Sequence, residues 1–354
     1  MRSCRALAPA KVNLGLFLGP TRASDGRHEL VTVMQSISLA DELTLELAQE
    51  GVTEDEVFCP GVPGPPAKNL AGRALAAFRK STGWEVPPLR LSIDKRIPVA
   101  AGMGGGSADA AAALRLARYA SGLGDEELLR ELGADLGADV PAQISPGCWL
   151  ASGAGERLYE LPDSSLSLGL LVLPVDAELA TAAVYAEADR LGLGRAPQAL
   201  EDRRRALLAA WTPPAPGPGA WATLAAGLLH NDLQDAAIAL CPEIADALRQ
   251  AREAGSDLAL VSGSGPTVVG LFVGDQGRAG SSGGGGDASL RNGGARAASL
   301  APAPSGASLP ASARRSASAA AGLAQRVPTP ICATPVDAAF ARALPIAGGG
   351  PPAG

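Results

Sequence analysis

Lysine, histidine and aromatic residues are scarce in this chain. Its 354 residues hold four lysines (Lys11, Lys68, Lys80 and Lys95), two histidines and only 3% aromatic side chains. A net charge of −6 together with so few aromatic side chains speaks against a nucleic-acid partner. The five cysteines, Cys4, Cys59, Cys148, Cys241 and Cys332, are scattered without paired spacing, which speaks against a zinc site or a disulfide framework. No apolar run approaches the roughly 20 residues of a membrane span, and no signal-peptide core stands near the start. A cytoplasmic protein without nucleic-acid or membrane partners is expected. The 47% hydrophobic and 19% charged composition is that of a globular body, long enough for two packed domains.

Glycine, in contrast, is concentrated where it matters. Residues 98–112 read Pro-Val-Ala-Ala-Gly-Met-Gly-Gly-Gly-Ser-Ala-Asp-Ala-Ala-Ala. Gly102, Gly104, Gly105 and Gly106 allow positive φ and let backbone approach a ligand with no Cβ in the way. Ser107 falls where a helix would begin, and the alanine-rich run after it is strong helix former. The unpaired N–H groups of that first turn, with about half a positive charge, form an anion cradle. A glycine hinge or plain helix cap is the competing reading. Neither common nucleotide signature fits: no lysine follows Gly106, as a Walker A loop requires, and Ser107 stands where the dinucleotide fingerprint has its third glycine.

Hydrophobic patterning predicts strands over 5–18, 29–39, 41–48 and 89–94, and helices over 69–82, 107–121 and 125–137, a mixed α and β first domain. Residues 51–68, rich in Gly and Pro, read as a loop. Further on, strands are expected at 168–173, 258–262 and 267–273. Helices are expected near 181–192 and 198–211, and over 231–254 with a break at Pro242. The proline-rich stretch 211–221 reads as a linker, and helices over one sheet suggest an α+β sandwich. Lys11 sits in the first strand, a noteworthy place for one of four lysines, although a solvated strand face would also hold it.

Several segments in order carry a family resemblance: Pro9-Ala10-Lys11-Val12-Asn13, Gly26-Arg27-His28-Glu29-Leu30, the glycine loop, Gly137-Ala138-Asp139-Val140-Pro141, His230-Asn231-Asp232-Leu233-Gln234 and Val261-Ser262-Gly263-Ser264-Gly265-Pro266-Thr267. Over roughly residues 5–273 the chain resembles the 4-diphosphocytidyl-2-C-methyl-D-erythritol kinases of the galactokinase, homoserine kinase, mevalonate kinase and phosphomevalonate kinase superfamily. The resemblance implies an α+β two-domain fold. A ribosomal-protein-S5-like ATP-binding domain spans 1–160 and a ferredoxin-like sandwich spans 161–273. It also implies ATP and Mg²⁺, a cytidine diphosphate derivative of methylerythritol as the small-molecule substrate, and a monomer or homodimer.

By the same resemblance Asp139 is the general base and Lys11 its cationic partner. Pro98, Val99, Ala100, Ala101, Gly102, Met103, Gly104, Gly105, Gly106, Ser107 and Ala108 surround the ATP phosphates, with the Ser107 hydroxyl near phosphate or Mg²⁺. Asn69 contacts the purine, though it equally suits a helix N-cap. Asn13, His28, Thr181, Tyr185, Gly263, Ser264 and Gly265 belong to the acceptor side. Arg27 departs from the family by replacing an aromatic residue that stacks on cytosine; a guanidinium plane can also stack. His230 and Asp232 read as helix-start structure. A homoserine or phosphomevalonate-type kinase, and a nucleotide-binding protein without catalysis, remain as alternatives at this point.

From residue 274 onward the composition turns to Gly, Ala, Ser, Pro and Arg with no Lys or Glu, and this part carries +4 against −10 for the body. A low-complexity, disordered tail over 274–354 is expected, native or the product of a shifted reading frame, with a short helix at Ile331–Leu344 the sole candidate element. The relatives close the second sheet with one more helix and strand, which this reading leaves missing.

Overall fold

The computed structural model describes residues 1–62, 65, 68–162, 168–211, 227–273, 311–323 and 330–346. Two long strands organise the first half. β1 (Cys4–Thr21) and β2 (His28–Leu47) pair antiparallel along most of their length. The two strands expected over 29–39 and 41–48 are thus one: Ala40, at the expected break, stays in the ladder opposite Pro9, and the next residue, Asp41, is held by its carboxylate accepting from the Arg96 and Ile97 N–H groups at 2.6 and 2.8 Å. The β1–β2 register shifts between Pro9 and Lys11, between Asn13 and Gly15, and between Leu18 and Thr21. Bulges of this kind re-aim side chains, and two of them flank Lys11 and Asn13.

The expected loop over 51–68 contains a three-residue strand, β3 (Glu56–Phe58), parallel to β4 (Leu89–Asp94). β4 continues along the second half of β2, while β5 (Cys148–Gly153) occupies its first half and carries β6 (Arg157–Leu161), an element the sequence pattern did not reveal. Against this sheet lie α1 (Leu70–Thr82), α2 (Gly105–Ser121), α3 (Glu126–Leu136) and the short α4 (Val140–Ile144). Asn69 caps α1 by accepting from the Ala71 N–H at 2.9 Å, and Asp125 caps α3 through the Leu128 N–H. Helix α2 begins at Gly105, two residues earlier than expected, with Gly104 as its cap. Its alanines 108, 110, 111, 112, 113 and 117 are all buried, so a slim helix runs through the core between β1 and α1.

The second sheet has the order β10-β7-β9-β8, built from β7 (Leu168–Leu173), β8 (Leu258–Val261), β9 (Val268–Val273) and β10 (Ile331–Ala333). Helices α5 (Thr181–Leu191), α6 (Pro197–Trp211), α7 (Gln234–Leu240), α8 (Glu243–Glu253) and α9 (Ala311–Leu323) complete this half. One hydrophobic core joins the two sheets: Val12, Leu14 and Phe17 of β1 bury against the same cluster as Leu170, Val172 and Leu271. Beyond Trp211 the expected linker lies outside the described residues. No helix among the described residues is long and apolar enough to cross a membrane.

The expected disorder over 274–354 does not hold for 311–323 and 330–346. Helix α9 packs on β7 so closely that a Cβ on Gly169 would come 2.2 Å from the Ser312 carbonyl oxygen. Ser312 and Ser316, one turn apart, are fully buried, and the Ser316 hydroxyl bonds the Ala313 carbonyl at 3.0 Å. The small side chains that resemble low complexity are what permits this approach; close packing replaces the bulk that a sequence pattern registers. Arg315 anchors the helix, donating to Asp257 and to the Gly255 and Val273 carbonyls.

The stretch expected to form a helix from Ile331 begins instead as strand β10, antiparallel to β7. The chain then crosses to the first sheet. Ser38 N–H donates to the Thr334 carbonyl at 2.8 Å, Val336 N–H donates to that of Ser36 at 3.0 Å, and β11 (Leu344–Pro345) pairs with β1. The closing helix and strand that the resemblance requires are therefore present, and β9 lies paired on both sides between β7 and β8. Residues 274–310, 324–329 and 347–354 lie outside the described residues.

Candidate active site

The glycine loop separates two cavities. One, of about 740 Å³, is lined by Lys11, Asn13, Arg27, His28, Asp139 and Tyr185 among others; the second, of about 630 Å³, is lined by Asn69, Lys95 and the loop from Pro98 to Ser107. Gly102, Gly104 and Ser107 line both. At this junction Gly102 (φ +74°) and Gly104 (φ +68°) adopt the left-handed backbone that favours glycine. Helix α2 starts here with no side-chain cap, so its first-turn N–H groups remain available to an anion at the positive end of the helix.

Contacts from three directions hold the loop. The Lys11 N–H donates to the Met103 carbonyl at 3.0 Å, and the Thr267 hydroxyl donates to the Ala101 carbonyl at 2.6 Å. A Cβ on Gly102 would lie 2.3 Å from the Gly265 carbonyl oxygen, so two glycine turns, one from each half of the molecule, meet backbone to backbone. Gly265, expected on the acceptor side, does not line the 740 Å³ cavity; its place is this contact. Ala108, expected around the ATP phosphates, is likewise buried in α2 and does not line the 630 Å³ cavity.

Lys11 and Asp139 come together at the junction. Lys11 Nζ lies 3.4 Å from Asp139 Oδ2 and donates to Asn13 Oδ1 at 2.9 Å. Asn13 is fixed in turn, its amide donating to the Thr32 hydroxyl at 2.8 Å and its backbone N–H to the Ser262 hydroxyl at 3.0 Å. Asp139 occupies the N-cap position of α4, yet its side chain makes no cap hydrogen bond. Its carboxylate is turned into the cavity towards Lys11, which the cap role would have prevented.

In the 740 Å³ cavity, His28 and Tyr185 rings stand 5.2 Å apart at 45°. Burial, with the negative charge of Asp139 adding to it, pushes the Tyr185 phenol above its ordinary range. Arg27 reaches the Ala154 carbonyl at 2.7 Å, and the Thr181 and Ser264 hydroxyls lie 3.1 Å apart at the cavity wall. Gly263 (φ +59°) is held by Asn231, whose amide bonds the Val261 and Gly263 carbonyls at 2.8 and 2.7 Å. Asp232 accepts from the Leu18 N–H and from Arg195 on both oxygens. The His230–Asp232 segment thus clamps β1 to the second half of the molecule.

Asn69 lines the 630 Å³ cavity, but its amide oxygen is committed to the α1 cap. Beneath the start of α2 lies a group absent from the sequence reading: Lys95 Nζ bonds both Asp41 and Asp109, the latter at 2.8 Å. Burial pushes the Asp109 carboxyl up to about 7, against the pull of Lys95. The scarcity of lysine pointed equally to Lys95; a strand-end position facing a helix start was the missed signal. Two further residues were overlooked, Thr32 behind Asn13 and Asp189 beside His28.

Residues 69–147 match the GHMP kinases N terminal domain and residues 216–286 the GHMP kinases C terminal domain. A 4-diphosphocytidyl-2-C-methyl-D-erythritol kinase of Kineococcus radiotolerans is 41% identical over 276 residues, 76% of this chain and 81% of that protein. One of Salinispora tropica is 42% identical over 279 residues, 76% of this chain and 84% of its own. A crystal structure of 4-(cytidine 5'-diphospho)-2C-methyl-D-erythritol kinase aligns at a TM-score of 0.63 and 28% identity over 93% of this chain and 98% of the other. A homoserine kinase from Cytophaga hutchinsonii, 14% identical with a TM-score of 0.63 over 97% of this chain and 98% of its own, shares the fold. The chain belongs to the 4-diphosphocytidyl-2-C-methyl-D-erythritol kinases, within the GHMP kinases.

Proposed function

We infer that this chain transfers the γ-phosphoryl group of ATP to the 2-hydroxyl of 4-diphosphocytidyl-2-C-methyl-D-erythritol. The observation that carries the reading is the meeting of two cavities at the start of α2, with Lys11 and Asp139 at the junction. Phosphoryl transfer asks for positioning and charge stabilisation more than covalent help. The unpaired N–H groups of Gly105, Gly106 and Ser107 hold the phosphates of ATP from the 630 Å³ side. Asp139 takes the proton of the acceptor hydroxyl, a role worth about 10²–10⁴-fold. Lys11, 3.4 Å from that carboxylate, offsets its charge and the charge on the group in transit.

Cytosine lies in the 740 Å³ cavity, framed by His28 and stacked between Tyr185 and the Arg27 guanidinium. The Gly263–Ser264 backbone and the Thr181 hydroxyl close over the diphosphate, while Asn13 orients both Lys11 and the erythritol. On the ATP side Asn69, whose oxygen caps α1 and whose side chain also bonds Cys59, contacts the purine from the wall of the 630 Å³ cavity.

Mg²⁺ fits this donor set. No cluster of three or more His, Cys, Asp or Glu able to hold a metal occurs among the described residues, and Mg²⁺ in kinases is held chiefly by phosphates and water with one or two protein oxygens. The Ser107 hydroxyl, in the first turn of α2, would hold it. When bound, it neutralises charge on the β- and γ-phosphates. The setting is cytoplasmic, in keeping with five cysteines of which none is in a disulfide.

ATP turnover measured with the cytidine diphosphate alcohol beside homoserine and mevalonate phosphate tests the assignment. Turnover of the cytidine substrate alone is expected; faster turnover of either small alcohol overturns the reading, and no turnover of any leaves a nucleotide-binding protein.

A further inference from the structure

Asp189 belongs to none of the roles assigned so far. It lies on α5 one helical turn after Tyr185, and the two side chains meet the same imidazole. Its carboxylate is 2.8 Å from His28 Nε2, and the Thr21 hydroxyl is 3.2 Å from that same nitrogen. The His28 side chain is one-tenth exposed, while Asp189 is more than half exposed at the rim of the acceptor cavity. Among the described residues Nδ1 has no partner, and His28 lines the cavity.

We propose that Asp189 is a positioning residue that fixes the tautomer of His28 and so makes the acceptor cavity select cytosine over uracil. The proposal rests on the kinase reading for the identity of the base. A carboxylate can only accept, so the neutral ring must carry its proton on Nε2. Nδ1 is then a lone-pair acceptor. Cytosine offers it the 4-amino group, a donor. Uracil carries an oxygen at the same place, which sets acceptor against acceptor and leaves two groups unpaired. A single mismatch of this kind is worth about 10- to 100-fold in a partly enclosed site. Without Asp189 the imidazole is free to move its proton to Nδ1, where it would donate to the uracil oxygen instead.

Two measurements test this. The chain holds two histidines, so a long-range proton–nitrogen spectrum of the histidine-labelled protein in alkaline buffer shows two rings. In the wild type His28 is expected as the Nε2–H form, and in Asp189→Ala as a mixture of both tautomers. Calorimetric titration with CDP and with UDP is expected to favour CDP by about tenfold or more in the wild type. In Asp189→Ala that ratio falls towards unity, with the KM for ATP unchanged and kcat at saturating cytidine substrate within about twofold. A wild-type Nδ1–H ring, equal affinity for CDP and UDP, or a CDP/UDP ratio preserved in Asp189→Ala overturns the proposal. A protein that selects CDP through Asp189 but phosphorylates nothing overturns the kinase reading and leaves this proposal standing.

Discussion

Lys11 Nζ and Asp139 Oδ2 are 3.4 Å apart, although one residue sits between bulges of the first strand and the other at the head of a five-residue helix. The lysine is nearly buried, and its other partner, Asn13, is held on both side chain and backbone. The ammonium is therefore locked before any substrate arrives, a preorganised charge of the kind that lowers a barrier without reorganising during reaction.

Asp139→Asn removes the proposed proton acceptor but keeps the shape. Steady-state kinetics should show kcat lowered by about 10²-fold or more with ATP affinity nearly intact. Lys11→Met should do similar damage. An Asp139→Asn enzyme that keeps half of wild-type turnover would remove the base from the mechanism.

The glycines of the loop should not respond alike to alanine. A Cβ on Gly102 meets the Gly265 carbonyl at 2.3 Å and must adopt φ +74°, so Gly102→Ala should cost about 2 kcal/mol or more in urea unfolding. Under the proposed roles, Gly104→Ala would press on Lys11 Cγ at 3.1 Å and should lower kcat by displacing Lys11 from Asp139. Gly106 has open space and an ordinary φ within α2, so its replacement should raise stability by about 0.5–1 kcal/mol. Equal stability losses at 102 and 106 would contradict the geometry.

Asp232 carries a pH dependence. Burial alone would raise its pKa, but the bonds from His230, Arg195 and the Leu18 N–H outweigh that and hold the carboxyl below the usual range. A carboxyl depressed on folding stabilises above its unfolded pKa of about 4, and that contribution is lost as pH falls through the folded value. Asp232→Ala should lose about 2–4 kcal/mol at neutral pH. Its Tm should then decline less steeply than the wild type's below about pH 4.

Arg27→Tyr restores the family's aromatic residue and gives up the bond to the Ala154 carbonyl. Stacking on cytosine should lower the KM for the cytidine substrate a few-fold, with the KM for ATP unchanged. A raised KM would mean that the guanidinium serves the substrate by charge rather than by its plane.

A chain stopped at residue 310 loses α9, β10 and β11 together. It uncovers the β7 edge at Leu170–Val172 and the face of Gly169. Calorimetry and gel filtration should show an aggregating species without a cooperative transition. A soluble, active truncation would show that these elements merely decorate the body.

The site was legible where a backbone requirement forces a rare residue pattern. Four glycines before an alanine helix announce an anion cradle whatever surrounds them, and Lys11 and Asp139 each stand in short segments specific enough to be matched. Legibility failed where the cause lay elsewhere in the chain. Asp189 matters because His28, 161 positions away, is its partner. Asp41 reads as the start of a separate strand until Lys95 and two N–H groups are placed around it. The stretch from 311 reads as disorder because the information that orders it is the missing side chain of Gly169.

Residues 330–346 also bear on how the molecule is made. They close the edge of β7, bridge Ile37 to Pro335 and extend the sheet beyond β1, pairings with sequence separations among the longest in the fold. During synthesis both sheets therefore emerge with open edges, and each waits for the same late stretch. Contacts so distant slow the search for the native state and prolong the exposure of unpaired strands. Production of this enzyme is thus expected to depend on chaperone supply more than its native stability suggests. The interval between Val273 and Ala311 sets the length of that wait.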